Sequence, residues 1–214
     1  MAVLAKICGL TTPQAMAAAL EGGAAYVGLV FYPPSPRAIA PAEAARLAAP
    51  VPGHVAKVGL FVDADDATID STLNQVKLDL LQLHGSETPQ RVAEIKRRFK
   101  LPVMKAVKIA ERADVEAAAA FVDAADRLLF DAQEPKSADA LPGGNGLAFD
   151  WSLLAGRQWP LPWMLSGGLT ADNLPQAVAA TEAACVDVSS GVEERRGVKS
   201  PQKIARFLAV AKSL

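Results

Sequence analysis

The chain has 214 residues, 51% of them hydrophobic, and a formal net charge of -1 with no long basic run; this suits one large domain or two small ones and disfavours nucleic acid or an anionic membrane surface as a partner. No apolar stretch reaches the ~18 residues that span a bilayer, and the first residues lack the basic stretch and apolar run of a secretion signal. Cys8 and Cys185 make neither a disulfide framework nor a CxxC pair, so a cytoplasmic protein in a reducing compartment is expected.

Short apolar runs alternate with longer Ala-rich stretches. Residues 3–8 read as a first strand. Thr12 and Pro13 then open a helix as N-cap and first-turn residue, and Gly22 with Gly23 closes it. Residues 26–31 are a second strand, followed by a rigid loop, Pro33-Pro34-Ser35-Pro36-Arg37, and a helix from Pro41. A third strand (54–62) and helix (65–75) lead to a fourth strand (78–83) that ends in His84 and Gly85. Thr88 and Pro89 open a helix to about Phe99; a strand (102–107), a helix (114–121) and a sixth strand (127–130) follow. A long Gly- and Pro-containing loop, 132–147, precedes a short helix at Asp150 and Trp151, and is expected to cover a site as a mobile flap. Strand 163–165, helix 170–180, strand 185–188 and a helix from Ser200 to about Lys212 complete the series.

Eight strand–helix units in one uninterrupted alternation predict a single-domain (β/α)8 barrel over residues 1–214. Apolar strands rich in Val and Leu suit a parallel sheet buried on both faces. An open doubly wound sheet is the rival, but no GxGxxG follows the first strand.

In a barrel the side chains just past each strand face one mouth, so candidates are collected by position. They are Cys8, Arg37, His84, Asp131, and the segments Ser166-Gly167-Gly168 and Ser189-Ser190-Gly191. Glycines admit a ligand close to the backbone, a helix N-terminus supplies free N–H groups, and strands seven and eight are a recurring phosphate seat. Two ordinary Gly turns are the alternative. Cys8 is either a small buried hydrophobe or a base. An unperturbed thiol, pKa ~8.5, is roughly a few per cent to a tenth ionised near neutral pH, so activation would need N–H groups or a cation. Cys185 is assigned to packing. Asp131 is solvated, paired or used, or else caps a loop. Asp187, between two valines, either holds neighbours inside the barrel or pairs with a cation. His84 is a structural hydrogen bonder or an acid–base group. Arg37 is a surface charge or a planar fork for a carboxylate.

These segments together resemble the phosphoribosylanthranilate isomerase family of tryptophan biosynthesis. The resemblance rests on Lys-Ile-Cys-Gly-Leu-Thr at 6–11, Phe-Tyr-Pro-Pro-Ser-Pro-Arg at 31–37, Val-Gly-Leu-Phe-Val at 58–62, Leu-Gln-Leu-His-Gly at 81–85 and Leu-Phe-Asp at 129–131. It continues through Gly-Gly-Asn-Gly at 143–146, Phe-Asp-Trp at 149–151, Leu-Ser-Gly-Gly-Leu at 165–169 and Val-Asp-Val-Ser-Ser-Gly-Val-Glu at 186–193. It implies a (β/α)8 barrel without metal or organic cofactor. The implied activity is an Amadori rearrangement of N-(5-phosphoribosyl)anthranilate to 1-(2-carboxyphenylamino)-1-deoxyribulose 5-phosphate.

By resemblance Cys8 is the general base, Asp131 the general acid, and Arg37 the partner of the anthranilate carboxylate. His84 and Asp187 join the substrate-binding set, and segments 166–168 and 189–191 hold the phosphate. Such an aspartate must begin protonated and the cysteine ionised, the reverse of their unperturbed order, so the site shifts them or works through a minority microstate. Two departures stand out: Ala132 and Gln133 where the family usually has a small hydroxyl residue, and Asn145 where threonine is common. A dual-specificity phosphosugar isomerase is a rival, disfavoured because that class carries aspartate at the position of Cys8. A non-catalytic phosphate-binding barrel is another, disfavoured by retention of both Cys8 and Asp131. A monomer is expected, with a homodimer the alternative.

Overall fold

In a computed structural model, which describes residues 2–133, 143, 144, 146 and 148–214, eight parallel strands close into one barrel in sequence order. The strands are β1 (Leu4–Cys8), β2 (Tyr26–Val30), β3 (Ala56–Phe61), β4 (Leu80–Leu83), β5 (Val103–Ile109), β6 (Arg127–Ala132), β7 (Trp163–Leu165) and β8 (Cys185–Val188). Helices α1 (Pro13–Glu21), α2 (Pro41–Ala48), α3 (Asp66–Leu73), α4 (Pro89–Phe99), α5 (Arg112–Ala117), α6 (Leu174–Thr181) and α7 (Pro201–Ser213) cover its outside. The crossover from β6 to β7 carries a 3-10 turn, Trp151–Leu154. The expected flap at 132–147 and the departure at Asn145 fall largely or wholly outside the described residues.

Local chemistry starts the helices where the sequence says they should. Thr12, Asp65, Thr88 and Ser200 each accept the N–H three residues on, at 3.3, 2.8, 3.2 and 3.4 Å, which satisfies one orphan donor of a first turn. Three boundaries move for identifiable reasons. The Asp114 carboxylate accepts the Glu111 N–H at 3.0 Å, so α5 begins two residues before Asp114. Asn173 accepts the Thr170 N–H at 2.7 Å and donates to the Gly168 carbonyl at 3.0 Å, so residues 170–173 form a turn ahead of α6. The sixth strand continues through Asp131 to Ala132, pairing Asp131 with Lys108 of β5. A hairpin absent from the sequence reading, β9 (Glu193–Arg195) with β10 (Val198–Lys199), follows β8.

Alternation along each strand creates two cores. Outward residues such as Ile7, Leu29, Phe61, Leu81, Phe130 and Leu165 pack under the helices. Inward residues Val58, Leu80, Met104, Ala106, Leu129, Met164 and Cys185 plug the barrel. Further along the same inward faces the chemistry changes: Leu80 gives way to Gln82, Leu129 to Asp131, Met164 to Ser166 and Cys185 to Asp187. The site is built on that polar layer. Among the described residues, no helix is long and apolar enough to cross a membrane.

Candidate active site

The inward groups at the strands' C-terminal ends line a mouth enclosing about 770 Å3, open solvent at its rim included. Cys8, Arg37, His84, Asp131 and Asp187 share its wall with Ser166, Gly167, Gly168, Ser189 and Ser190. Gly191 does not line it. A side chain there would run into the Leu169 carbonyl oxygen, so this glycine serves the close approach of the loops after β7 and β8.

One half of the mouth is organised by a lysine. Lys6 lies opposite Asp187 in the β1–β8 ladder. It is fully buried, and its ammonium donates to Asp187 Oδ1 at 2.8 Å. Its charge also acts on the Cys8 side chain. A Cβ on Gly28, opposite Cys8 on β2, would lie 3.1 Å from the Cys8 Sγ and 3.2 Å from the Lys6 Nζ, so both atoms crowd one spot. Burial alone would lower the Lys6 pKa; the Asp187 carboxylate, then Cys8, more than reverse this and raise it. Lys6 is a permanent cation. Burial pushes the Cys8 thiol up, the ammonium pulls it back only in part, and Asp187 pushes it further. The thiol form therefore predominates near neutral pH, and the thiolate is a minority species. Cys185 is pushed up to about 12, chiefly by burial and then by Asp187, in keeping with a packing role.

The other half is organised by a histidine. Asp131 Oδ1 accepts the Ala132 N–H at 3.0 Å, and its Oδ2 meets His84 Nε2 at 3.1 Å. His84 Nδ1 meets Gln82 Nε2 at 2.8 Å. Asp131 is paired with no lysine or arginine among the described residues. Gly143 lies over the pair: a Cβ there would sit 2.6 Å from His84 Nε2 and 3.0 Å from Asp131 Oδ2.

Arg37 is buried, which excludes the surface-charge reading. Its Nε and Nη2 grip both oxygens of Glu193 at 2.7 and 3.0 Å, and Nη2 also donates to the Gly144 carbonyl at 3.1 Å. Lys199 donates to the same Glu193 at 2.6 Å. Burial opposes ionisation of Glu193, but the bonds from Arg37 and Lys199 win and hold its pKa at about 2. Lys199 continues to the Ser189 carbonyl and hydroxyl at 2.9 and 3.1 Å, and the Ser189 hydroxyl donates to the Cys8 carbonyl at 3.3 Å. The hairpin thus ties Arg37, the last barrel loop and the end of β1 into one frame.

Backbone groups suited to an anion lie beside this frame. Gly167 and Gly168 hold positive φ, 86° and 61°. Their N–H groups donate to no acceptor among the described residues. The Ser166 hydroxyl is spent on Asp187 at 3.3 Å and that of Ser189 on the Cys8 carbonyl, which leaves backbone N–H groups for an anion. Val30 and Leu60 pack with Cys8 to form an apolar wall extended by Tyr32 and Val62. No cluster of His, Cys, Asp or Glu among the described residues is placed to hold a metal ion.

The sequence reading missed Lys6, Gln82, Glu193 and Lys199 as members of the site. Lys6 carried a usable signal, since a lysine inside an apolar strand needs a buried partner. Glu193 carried a signal only as the end of the resembling segment 186–193; by itself Glu-Glu-Arg-Arg-Gly reads as a solvated charged turn.

Comparison with known proteins bears on what this geometry does. Residues 5–210 match the family model described as N-(5'-phosphoribosyl)anthranilate (PRA) isomerase. The chain is 60% identical to N-(5'-phosphoribosyl)anthranilate isomerase of Rhodospirillum centenum over 214 residues, covering 100% of both chains. It resembles a crystal structure of phosphoribosyl anthranilate isomerase in complex with reduced 1-(o-carboxyphenylamino)-1-deoxyribulose 5-phosphate, at TM-score 0.84 and 34% identity, covering 99% of this chain and 100% of that one. It also resembles monomers generated from the dimeric enzyme of Thermotoga maritima, at TM-score 0.83 and 34% identity over 99% and 100% of the two chains.

Proposed function

The chain belongs to the N-(5'-phosphoribosyl)anthranilate isomerase family, and on that premise we propose how its own residues divide the work of this isomerase of tryptophan biosynthesis. Asp131, starting as the carboxylic acid, gives its proton to the furanose ring oxygen of N-(5-phosphoribosyl)anthranilate. The ring C–O bond breaks and the anomeric carbon becomes a Schiff base. Cys8 thiolate then takes the C2′ proton, which the adjacent iminium has made acidic. The electron pair left behind forms an enolamine, and this tautomerises to the ketone of 1-(2-carboxyphenylamino)-1-deoxyribulose 5-phosphate. No electron leaves the substrate and no metal or organic cofactor enters the scheme.

The observation that carries this reading is the convergence of Cys8 and Asp131 on one mouth that also holds an anion seat. Gly167, Gly168, Ser189 and Ser190 receive the phosphate through backbone N–H groups. Arg37 meets the anthranilate carboxylate with the Nη1 hydrogens that its grip on Glu193 leaves over. The aryl ring lies along Val30, Leu60 and Tyr32. His84 and Asp187 face the ribose hydroxyls from opposite sides.

Lys6 resolves the difficulty of a cysteine base with a raised pKa. The active form is a minority microstate, and the nearby ammonium, which draws the thiol pKa down, keeps that minority large enough to turn over. The chain acts as a monomer, and a dimer is the alternative that its Thermotoga maritima relative supports.

The test is direct. Freshly prepared N-(5-phosphoribosyl)anthranilate is fluorescent and its loss is visible in a coupled assay. Loss well above the uncatalysed background is expected. A rate equal to that background, with the product analogue still bound, would leave a ligand-binding barrel instead.

A further inference from the structure

Behind the proposed acid lies a buried amide. Gln82 has no exposed surface, and its Nε2 meets His84 Nδ1 at 2.8 Å. Its other end, Oε1, is buried with no hydrogen-bond partner among the described residues. A buried unpaired carbonyl costs about 1–3 kcal/mol, so this orientation is not held by satisfaction of the amide itself. It is held by His84.

The chain Gln82–His84–Asp131 permits only certain proton placements. With the NH2 group facing His84, Nδ1 must be the acceptor. His84 then carries its proton on Nε2 and donates it to Asp131 Oδ2. That arrangement suits a carboxylate and refuses a proton on Oδ2, because two hydrogens would meet across the 3.1 Å contact. With the amide turned over, Oε1 gains a donor only if Nδ1 carries the proton. In the neutral ring Nε2 is then an acceptor and holds a proton on Asp131 Oδ2. The first arrangement contains one proton on the pair and the second contains two.

We infer that Gln82 is a positioning residue whose amide orientation selects the tautomer of His84 and so couples to the loading of the Asp131 proton. The inference rests on the acid role proposed above for Asp131. The added proton comes from solvent, to which Cys8 returns the one taken from C2′, so each turnover closes without a net proton change. Ionisable groups on the surrounding elements are already placed. Lys105 of β5 is bonded to Glu87 and the Gly85 carbonyl. Lys57 of β3 pairs with Asp79. Lys6 of β1 is bonded to Asp187 of β8. Asp63, which follows β3, accepts from Ser86. Lys108 of β5, opposite Asp131 in the ladder, completes the set.

The chain has two histidines, His54 being exposed, so nitrogen-15 NMR of histidine-labelled full-length protein reads His84 against an internal reference. In the wild type near neutral pH, His84 is expected as the Nε2–H tautomer. Gln82→Met removes both bonds at nearly constant length. It should give a mixture of tautomers and lower kcat by roughly tenfold, as when a working histidine loses the partner on its far nitrogen, with KM little changed. Gln82→Glu can only accept, and should place a proton on Nδ1 and displace the pH profile of kcat. It also keeps the test alive if Gln82→Met fails to fold. A wild-type His84 protonated at Nδ1 overturns the inference, as does an unchanged tautomer in a folded variant, even with reduced kcat. If the wild type lacks isomerase activity while the tautomer responds as described, the fault lies in the proposed reaction and not in the coupling.

Discussion

The two halves of the mouth meet opposite demands with different physics. Around Cys8 the charges are set by geometry: a buried ammonium and a buried carboxylate lie 2.8 Å apart, and the ammonium keeps its proton throughout the neutral range. Around Asp131 the backbone N–H of Ala132 fixes Oδ1, but no fixed charge holds Oδ2. Its partner is a histidine, a group whose protons move, backed by an amide that can serve as donor or acceptor. The proposed base, which must be available at every turnover, is served by a standing electric field. The proposed acid, which must be emptied and refilled, is served by a chain that can hold either one proton or two. The contrast explains why desolvation, which penalises any charge, is tolerated so heavily on one side of the site.

Removing either reactive group breaks the comparison outright. Cys8→Ala and Asp131→Asn should each lower kcat by about 10²–10⁴-fold, the usual worth of a positioned acid or base, while the product analogue still binds. Near-wild-type turnover in both, measured in the fluorescence assay, would remove them from the chemistry.

Lys6→Met tests the fixed-charge half. It strands Asp187, and breaking such a buried pair costs about 3–5 kcal/mol, to be read from urea unfolding. The kinetic effect has its own sign. The form with a proton on Asp131 and none on Cys8 keeps a constant share until the thiol itself loses its proton in bulk. Since burial raises Cys8 above its ordinary 9.0, the wild-type kcat/KM should begin its alkaline decline only above that pH. Without the ammonium the thiol rises further, so the decline moves to higher pH and the plateau drops by about tenfold for each unit. A decline beginning near pH 8 in the wild type would contradict the structure.

How much of this was legible beforehand follows from what each strand had to reveal. Cys8, His84 and Asp131 each close an apolar run, and alternation along β1, β4 and β6 brings such residues to one mouth without any knowledge of the contacts. Strand–helix alternation, the N-cap at Thr12 and the helix starts at Asp65, Thr88 and Ser200 carried the barrel. Lys6 and Gln82 sit on the same inward faces but one step lower. There a polar residue looks like an interruption of a strand, and only the partner supplied by another strand explains it. The hairpin after β8 was illegible for a different reason. Its stability comes from Glu193 binding Arg37, 156 positions away, and no local pattern announces such a contact.

That frame is the next place to probe. Arg37→Ala should raise KM by roughly tenfold or more, since it loses a charge-assisted bond to the anthranilate carboxylate and slackens Glu193; an unchanged KM would take Arg37 out of the substrate site. Glu193 also sets an acid limit. Its folded pKa is about 2 against an ordinary 4.5, so the unfolded chain binds the proton more readily. The resulting stability is fully present above 4.5 and is lost as pH falls from there towards 2. The amount is on the order of 3 kcal/mol. Urea midpoints measured across that range should fall in the wild type and flatten in Glu193→Gln; parallel curves would mean that the carboxylate is not held as the structure has it.

The smallest effect is expected where the chain departs from its family beside the acid. Ala132 gives Asp131 a backbone N–H, and its methyl group lies in the angle beside Gly167. Ala132→Ser keeps the N–H and adds a hydroxyl within reach of the anion seat. The fixed donor to Oδ1 is therefore unchanged, while the proton on Oδ2 is governed from the other side by His84. A hydroxyl at 132 has no route to that proton except through the carboxylate itself. The substitution should change kcat by less than about threefold, below 1 kcal/mol of barrier, and should leave the His84 tautomer where it was. A large rise in kcat would show that a side-chain hydroxyl, absent from this chain, is a third support of the acid, and that the movable half of the site is less self-sufficient than its geometry indicates.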